Sequence, residues 1–350
     1  MRTYQDLKLG TLPDQPWTGL AALPTPLHPL VRLTERLGGP ELWIKRDDLT
    51  GLAGGGNKTR KLEFLVGDAL ATGADVLVSV GAIQSNHTRQ TAAAAARVGL
   101  DCALLHNGWV PDAGENYRRV GNVLLSELLG ARLYVDDQER LLGDPGRLEM
   151  LAERLRAAGR EPYIVPGGAS DHPLGGLGYV VCAAEVVTQA DELGIDFDVV
   201  VHCTGSSGTQ AGLLAGFAAL GKTTRVIGVS DDDQTDQKSE RVLRLANATL
   251  QRLGLQAQVS PSDVEIIIAD PSSYGVAAPE TLAAIRLFAR TEGLMADPVY
   301  EGKAIRGLIG LIEQGVLHRG QRVLLFHLGG THAVHAYADQ LWQHGLVTLG

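Results

Sequence analysis

Residues 198–220 read DVVVHCTGSSGTQAGLLAGFAAL, and their order decides the fold class. A β-branched apolar run ends at Cys203. A loop of small and hydroxylated residues follows, and a small, apolar, helix-compatible segment begins at about Thr209. A buried strand that feeds a glycine-rich loop and then a helix is half of a βαβ unit. Seven further strand candidates surround it: ELWIK (41–45), DVLVSV (75–80), DCALLH (101–106), RLYV (132–135), RVIGVS (225–230), VEIII (264–268) and RVLLFHL (322–328). Helical stretches such as KTRKLEFLVGDALATG and TLAAIRLFARTEG lie between them. The alternation predicts an α/β fold with two open, twisted, mainly parallel sheets and flanking helices. One sheet is expected from the runs near 75–165 and one from 198 onward. Between them VPGGASDHPLGGLGY (165–179), rich in glycine and proline, is a natural interdomain crossing.

Composition narrows the functional class. The 350 residues suggest two domains, and 45% hydrophobic with 20% charged residues is ordinary globular usage. A formal charge of −9 without a basic run argues against nucleic acid and anionic membranes as partners. The first ten residues, MRTYQDLKLG, lack a signal-peptide apolar core, and no stretch has the length of a membrane span. Cys102, Cys182 and Cys203 are far apart, so neither a disulfide framework nor a zinc site is indicated. These features predict a cytoplasmic enzyme or binding protein.

Three strand–loop–helix junctions have unusual loops, and in open α/β sheets ligands bind at such strand ends. At TGSSGTQ, Gly205 and Gly208 allow close backbone approach, while Ser206, Ser207 and Thr209 offer hydroxyls beside a helix start. This is an anion cradle suited to phosphate, although it matches neither a Walker A loop nor GxGxxG; its plainer reading is a flexible turn. At IQSNHTRQ, Ser85, Asn86 and His87 precede an alanine-rich helix, where they suit a substrate carboxylate or merely cap the helix. At HLGGTHAVHAY, the glycines permit close approach. His327, His332 and His335 lack a metal-ligand pattern, so no metal is expected.

A fourth feature joins these. LAGGGNKTRKLEFL (52–65) places three glycines before Asn57 and Lys58 at a helix start. Alone, Lys58 reads as a surface residue. Together with a phosphate loop and a carboxylate site, a presented amine is what a pyridoxal phosphate enzyme requires: the lysine forms a Schiff base and the cofactor acts as electron sink for an amino acid.

GGGNKTRKLEFL, GAIQSNHTRQTAAAAA, PGGASDHPLGGLGY, GTQAGLLAGFA and ARTEGLMADPVYEGKA, in order from about Thr25 to Tyr337, resemble the 1-aminocyclopropane-1-carboxylate deaminase and D-cysteine desulfhydrase family. These are fold-type II enzymes with pyridoxal 5'-phosphate in a cleft between two α/β domains, usually as homodimers. The resemblance implies a large cofactor-binding domain from 1–58 and 164–350 and a small substrate-side domain from 59–163. By motif, Lys58 is implied as the Schiff-base lysine, Asn86 as partner of the cofactor's phenolic oxygen, and Gly205 to Thr209 as the phosphate cradle. Ser85, with the adjacent Asn86 and His87, would meet the substrate carboxylate. Tyr274 and Tyr300 would line the catalytic pocket, Trp109 would stand near it, and Leu328 would face the substrate.

Glu301 separates the two activities. The resemblance places it opposite the pyridine nitrogen, where a carboxylate keeps that nitrogen protonated and the ring strongly electron-withdrawing. Aminocyclopropane carboxylate has no Cα proton and needs that pull, so Glu301 and Leu328 imply a deaminase releasing 2-oxobutanoate and ammonia. His87 and the GSSGTQ loop look closer to the desulfhydrase branch, and Thr331 with His332 depart from both. The alternative is therefore a D-cysteine desulfhydrase or related β-elimination lyase giving pyruvate and ammonia. Its substrate could be a sulfonated cysteine analogue, which would favour a cationic or His-rich wall, with His87 and His332 as candidates for it. A non-catalytic cofactor carrier would not need Ser85, Tyr274, Tyr300 and Glu301 together.

Overall fold

The computed structural model describes residues 15–107, 110, 113–136, 145–232 and 234–343. Ten strands are present among them: β1 (Leu27–Pro29), β2 (Glu41–Arg46), β3 (Val76–Ala82), β4 (Asp101–Asn107), β5 (Arg132–Asp136), β6 (Pro162–Ile164), β7 (Val199–Thr204), β8 (Arg225–Ser230), β9 (Glu265–Ile267) and β10 (Arg322–His327). The helices are α1 (Val31–Leu37), α2 (Lys58–Ala71), α3 (Asn86–Val98), α4 (Asn122–Leu128), α5 (Pro145–Ala157), α6 (Pro173–Leu193), α7 (Gly208–Ala219), α8 (Thr235–Arg252), α9 (Pro279–Glu292), α10 (Glu301–Glu313) and α11 (Ala338–Leu341). They surround two sheets. One has six strands in the order β1-β2-β10-β7-β8-β9, and the other has four in the order β5-β4-β3-β6. Every pairing is parallel except β1 with β2.

All eight predicted strands are present, each within a residue or two of its expected limits. The additions, β1 and β6, have three residues each and contain a proline, too short and too irregular to show a period of two. The central strands β7, β8 and β10 are apolar almost without interruption because the six-stranded sheet is covered on both faces. Val200, Val226, Leu324 and Phe326 pack into one core with α2, α6, α7 and α8. The alternate residues Val199, Val201, Ile227, Val229, Val323 and Leu325 pack into a second core with α9 and α10.

Helix α6 is the structural centre of the first core. It is 21 residues long and buried on all sides, with Pro173 in its first turn and Gly194 closing it in the left-handed conformation. Its glycines let other backbones approach. A Cβ on Gly178 would lie 2.4 Å from the Arg60 carbonyl oxygen of α2. A Cβ on Gly212 of α7 would lie 2.4 Å from the Gly176 carbonyl oxygen. Two of the helices whose N-termini enter the site, α2 and α7, thus rest directly on α6.

Candidate active site

The C-terminal ends of β3, β7, β8 and β10 open onto one cleft of about 790 Å³, as expected for an open α/β sheet. Lys58, Ser85, Asn86, His87, Gly205, Ser206, Ser207, Thr209, Tyr274, Tyr300, Glu301 and Leu328 all line it. Trp109 lies outside the described residues.

The local backbone explains why three glycines precede Lys58. Gly54, Gly55 and Gly56 have φ of 82°, 78° and 130°. Side chains there would collide with the His332 ring at 2.2 Å, the Asp48 carbonyl oxygen at 2.0 Å and the Gln90 amide at 2.5 Å respectively. Only glycine satisfies both constraints. The chain then turns into α2 with Lys58 as its first residue. Asn57 ties that start to the rest of the cleft: its N–H donates to the Leu328 carbonyl (2.9 Å) and its Nδ2 to Thr209 Oγ1 (3.1 Å).

Lys58 Nζ lies 3.4 Å from Ser206 Oγ, which shares a 2.7 Å hydrogen bond with Ser170 Oγ. Ser170 accepts from the buried Lys61 Nζ at 2.9 Å. Burial pushes the Lys58 ammonium down to about 8, so a useful fraction is neutral and nucleophilic near physiological pH. Lys61 is held well below the usual lysine range by burial and then by Lys58. The sequence reading passed over Lys61 and Ser170. Spacing offered a signal for Lys61, since residues three apart share a helix face.

The TGSSGTQ loop is a cradle with open donors. Ser207 adopts φ 69°, a conformation costly for a non-glycine residue, and its buried Oγ has no partner among the described residues. Helix α7 begins at Gly208, one residue before the expected Thr209; the Gly208 N–H turns back to the Ser206 carbonyl at 2.9 Å, and the N–H groups of Thr209 and Gln210 have no intrahelical acceptor. Side chains on Gly205 and Gly208 would fall 2.5 Å from Asp231 Oδ2 and 2.7 Å from Ser170 Oγ. These open donors, with Lys61 nearby, fit a phosphate.

Glu301 begins α10. Its N–H donates to Asp297 Oδ1 at 3.1 Å, and Asp297 also accepts from the N–H groups of Val299 and Tyr300. The Glu301 side chain is buried, and its Oε1 has no partner among the described residues. Burial, then the neighbouring Asp297, holds the carboxyl well above the usual range. A buried carboxyl short of one partner, at the wall of a cleft, fits a ring nitrogen that shares its proton. Tyr274 and Tyr300 join their hydroxyls at 2.5 Å, and burial keeps both phenols protonated.

Ser85 does cap α3, accepting from Thr88 N–H at 3.3 Å, and it lines the cleft as well. Asn86 and His87 follow it on the first turn. His87 is buried, with Nε2 2.6 Å from Ser79 Oγ; burial, then Lys58 and Lys61, keeps its ring neutral. His332 stacks on Gly54, is not part of the cleft lining, and is depressed to about 4 by burial. Neither histidine supplies the cationic wall that a sulfonate would favour. His327 bonds the Met295 carbonyl at 2.8 Å and accepts from Gly329 N–H at 3.3 Å. No cluster of metal-ligating side chains occurs among the described residues.

Residues 19–329 match the family described as pyridoxal-phosphate dependent enzyme. The 1-aminocyclopropane-1-carboxylate deaminase of Burkholderia ambifaria is 47% identical over 322 residues, covering 90% of this chain and 94% of its own. That of Bradyrhizobium diazoefficiens is 46% identical over 318 residues, with the same coverage. Among solved structures, a crystal structure of an ACC deaminase homologue superposes with TM-score 0.85 at 36% identity, covering 94% of this chain and 96% of its own. A crystal structure of a T.th. threonine deaminase shares the fold, with TM-score 0.60 at 20% identity over 87% of this chain and 92% of its own.

Proposed function

This chain belongs to the pyridoxal-phosphate dependent enzymes, and from that membership we propose that it opens the ring of 1-aminocyclopropane-1-carboxylate, releasing 2-oxobutanoate and ammonia. Pyridoxal phosphate is its cofactor, and the open donors of the cradle together with the incomplete bonding of Glu301 are what that group would satisfy. When bound, it supplies an aldehyde for amine exchange and a ring that takes up the electrons of a broken bond.

The chain's own residues divide the remaining work. Lys58 would hold the cofactor and, when its amine is free, would move protons as general acid and base. Gly205 to Thr209 would hold the phosphate, with Lys61 supporting Ser206 through Ser170. Asn86 would donate to the phenolic oxygen, and Glu301 would hold a proton on the ring nitrogen. Ser85 and the α3 N-terminus receive the substrate carboxylate, with His87 and Leu328 shaping the wall beside it. Ser85 and Tyr300 carry the two oxygens available to attack a ring methylene, Tyr300 only after a base relieves it of its proton. Tyr274 shares that proton through their short hydrogen bond. The proposal assigns 1–58 and 164–350 to a cofactor-binding domain and 59–163 to a substrate-side domain, in a cytoplasmic homodimer. No helix among the described residues is long and apolar enough to cross a membrane.

The observation that carries the reading is Glu301, a buried carboxyl with an unpartnered oxygen at the cleft wall. It suits a reaction that begins without a Cα proton. Product analysis of the cofactor-loaded protein tests it. Aminocyclopropane carboxylate should yield 2-oxobutanoate faster than D-cysteine yields pyruvate and sulfide. Dominant sulfide release would overturn the reading in favour of the β-elimination lyase.

A further inference from the structure

Arg89 is a buried arginine on α3 without a carboxylate partner among the described residues. Its guanidinium meets only neutral oxygens: the carbonyls of Ala53 and Gly55 in the loop before Lys58, and Oδ1 of Asn122 at 2.7 Å. Burial pushes it down to about 10, so it stays charged at neutral pH. An isolated buried cation is costly, and its hydrogen bonds are directional.

The directions form a chain. Arg89 Nε can only donate, so the oxygen of the Asn122 amide must face it. The Asn122 Nδ2 then points the other way, where it donates to the Gln84 carbonyl and to Asn86 Oδ1, each at 2.9 Å. Because the Gln84 carbonyl can only accept, this orientation is determined twice. With its oxygen claimed, Asn86 keeps its own Nδ2 for the cleft that it lines. Asn122 is itself locked by its N–H donating to Gln84 Oε1 at 3.0 Å, while Gln84 Nε2 donates to the Tyr117 and Val120 carbonyls.

We infer that Arg89 and Asn122 are positioning residues for the cofactor's phenolic oxygen: an aligned chain from Arg89 through Asn122 to Asn86 aims the Asn86 amide N–H at that oxygen, with a fixed positive charge at its far end. The inference rests on the assignment of Asn86 in the proposed function. A donor polarised by a cation stabilises the phenolate and makes the neighbouring Lys58–cofactor linkage easier to deprotonate. The chain thus lowers the pH at which that linkage loses its proton, and it ties the same cation to the loop presenting Lys58. The titratable groups nearest the linkage are Lys61, His87, Cys203, Asp231, Glu301 and the Tyr274–Tyr300 pair; Asp171, Asp232, Lys238 and Arg241 lie further along the cleft and His332 near Arg89, and the variants below leave all of them in place.

The test is a visible-absorption pH titration of the Lys58–cofactor linkage in the full-length holoenzyme, alongside thermal melting. Asn122→Asp is nearly isosteric but cannot donate to Asn86 Oδ1, and its charge cancels that of Arg89. Arg89→Gln removes the charge while keeping a donor toward Asn122. Both variants should move the titration upward by about one pH unit, with cofactor still bound. A merely structural role would lower the melting temperature and leave the titration in place. An unchanged titration in a folded variant overturns the inference, as does a folded Asn122→Asp protein that takes up no cofactor. Asn86→Ala separates the premise from the chain: if it also leaves the titration unmoved, the assignment of Asn86 has failed.

Discussion

At the scale of single residues, the site is organised by groups that lack something. Among the described residues, one carboxyl oxygen of Glu301 and the hydroxyl of Ser207 have no partner, and both are buried. At the wall of the cleft a ligand can satisfy such groups, and the gain is comparable to the about 1–3 kcal/mol that an unmet buried donor or acceptor costs. Glu301 is also the residue most closely tied to the reaction. Glu301→Thr leaves a neutral hydrogen-bonding group, and ring opening should fall by about a hundredfold or more, as when one preorganised electrostatic partner of a transition state is removed. Any residual β-elimination of D-cysteine, which starts from a removable Cα proton, should fall much less. Equal losses of 2-oxobutanoate and pyruvate formation in the two assays would remove Glu301 from this role.

At the scale of elements, the site depends on how closely helices approach. Lys58 and the phosphate cradle stand at the first turns of α2 and α7, and both helices lie on glycines of α6 or α7. Gly178→Ala would push a methyl group to 2.4 Å from the Arg60 carbonyl oxygen and 2.9 Å from the Lys61 N–H nitrogen. Both contacts are backbone, so the helix axes must separate. Overpacking of this kind costs about 1–3 kcal/mol, which denaturant unfolding of the apoprotein should show. Because the strain falls two residues from Lys58, cofactor affinity should fall with it. Unaltered affinity in a destabilised protein would mean that α2 can shift without moving Lys58. The element pattern itself was legible in the sequence for eight strands, and in β3, β7, β8 and β10 the apolar runs reflect burial on both sheet faces. It was illegible for β1 and β6, which exist because a neighbouring strand offers an edge to three residues.

At the scale of the whole molecule, a buried ionic cluster joins the layers. Arg60 of α2 makes a double contact with Asp47, at 2.8 Å to each carboxylate oxygen, and reaches both oxygens of Glu185 on α6 at 3.0 Å. Lys45 of β2 pairs with Glu185 as well, and Tyr179 donates to Asp47 at 2.7 Å. Two cations and two carboxylates thus balance. Against the cost of burial, Arg60 and Lys45 lower the Glu185 carboxyl to about 2. A carboxylate depressed on folding contributes stability that is present above its unfolded pKa. That contribution is lost as the pH falls from about 4.5 toward 2. Glu185→Gln leaves the two cations short of a partner and should cost about 3–5 kcal/mol at neutral pH. It should also flatten the acid limb of the stability curve, as followed by urea unfolding across that range. An acid limb as steep as that of the unmodified protein would place the titrating group elsewhere.

Local chemistry was readable in advance because it depends on near neighbours. Three glycines before a lysine, a Gly/Ser/Thr loop after an apolar run, and Ser-Asn-His before an alanine helix all carry their meaning within about ten residues. Together they indicated the α/β class, the cofactor and most of the cleft lining. Which distant side chains meet could not be read, because it depends on packing between elements 33 to 125 residues apart. Lys61 reaches Ser170, Arg60 reaches Glu185, and Arg89 reaches Asn122 only once α2, α3, α4 and α6 are in place. The same holds for His87 and His332, which the sequence offered as candidates for a cationic or His-rich wall. Burial against β3 and against Gly54 made them neutral packing groups, because the charge of a histidine is set by the solvent and charges around it.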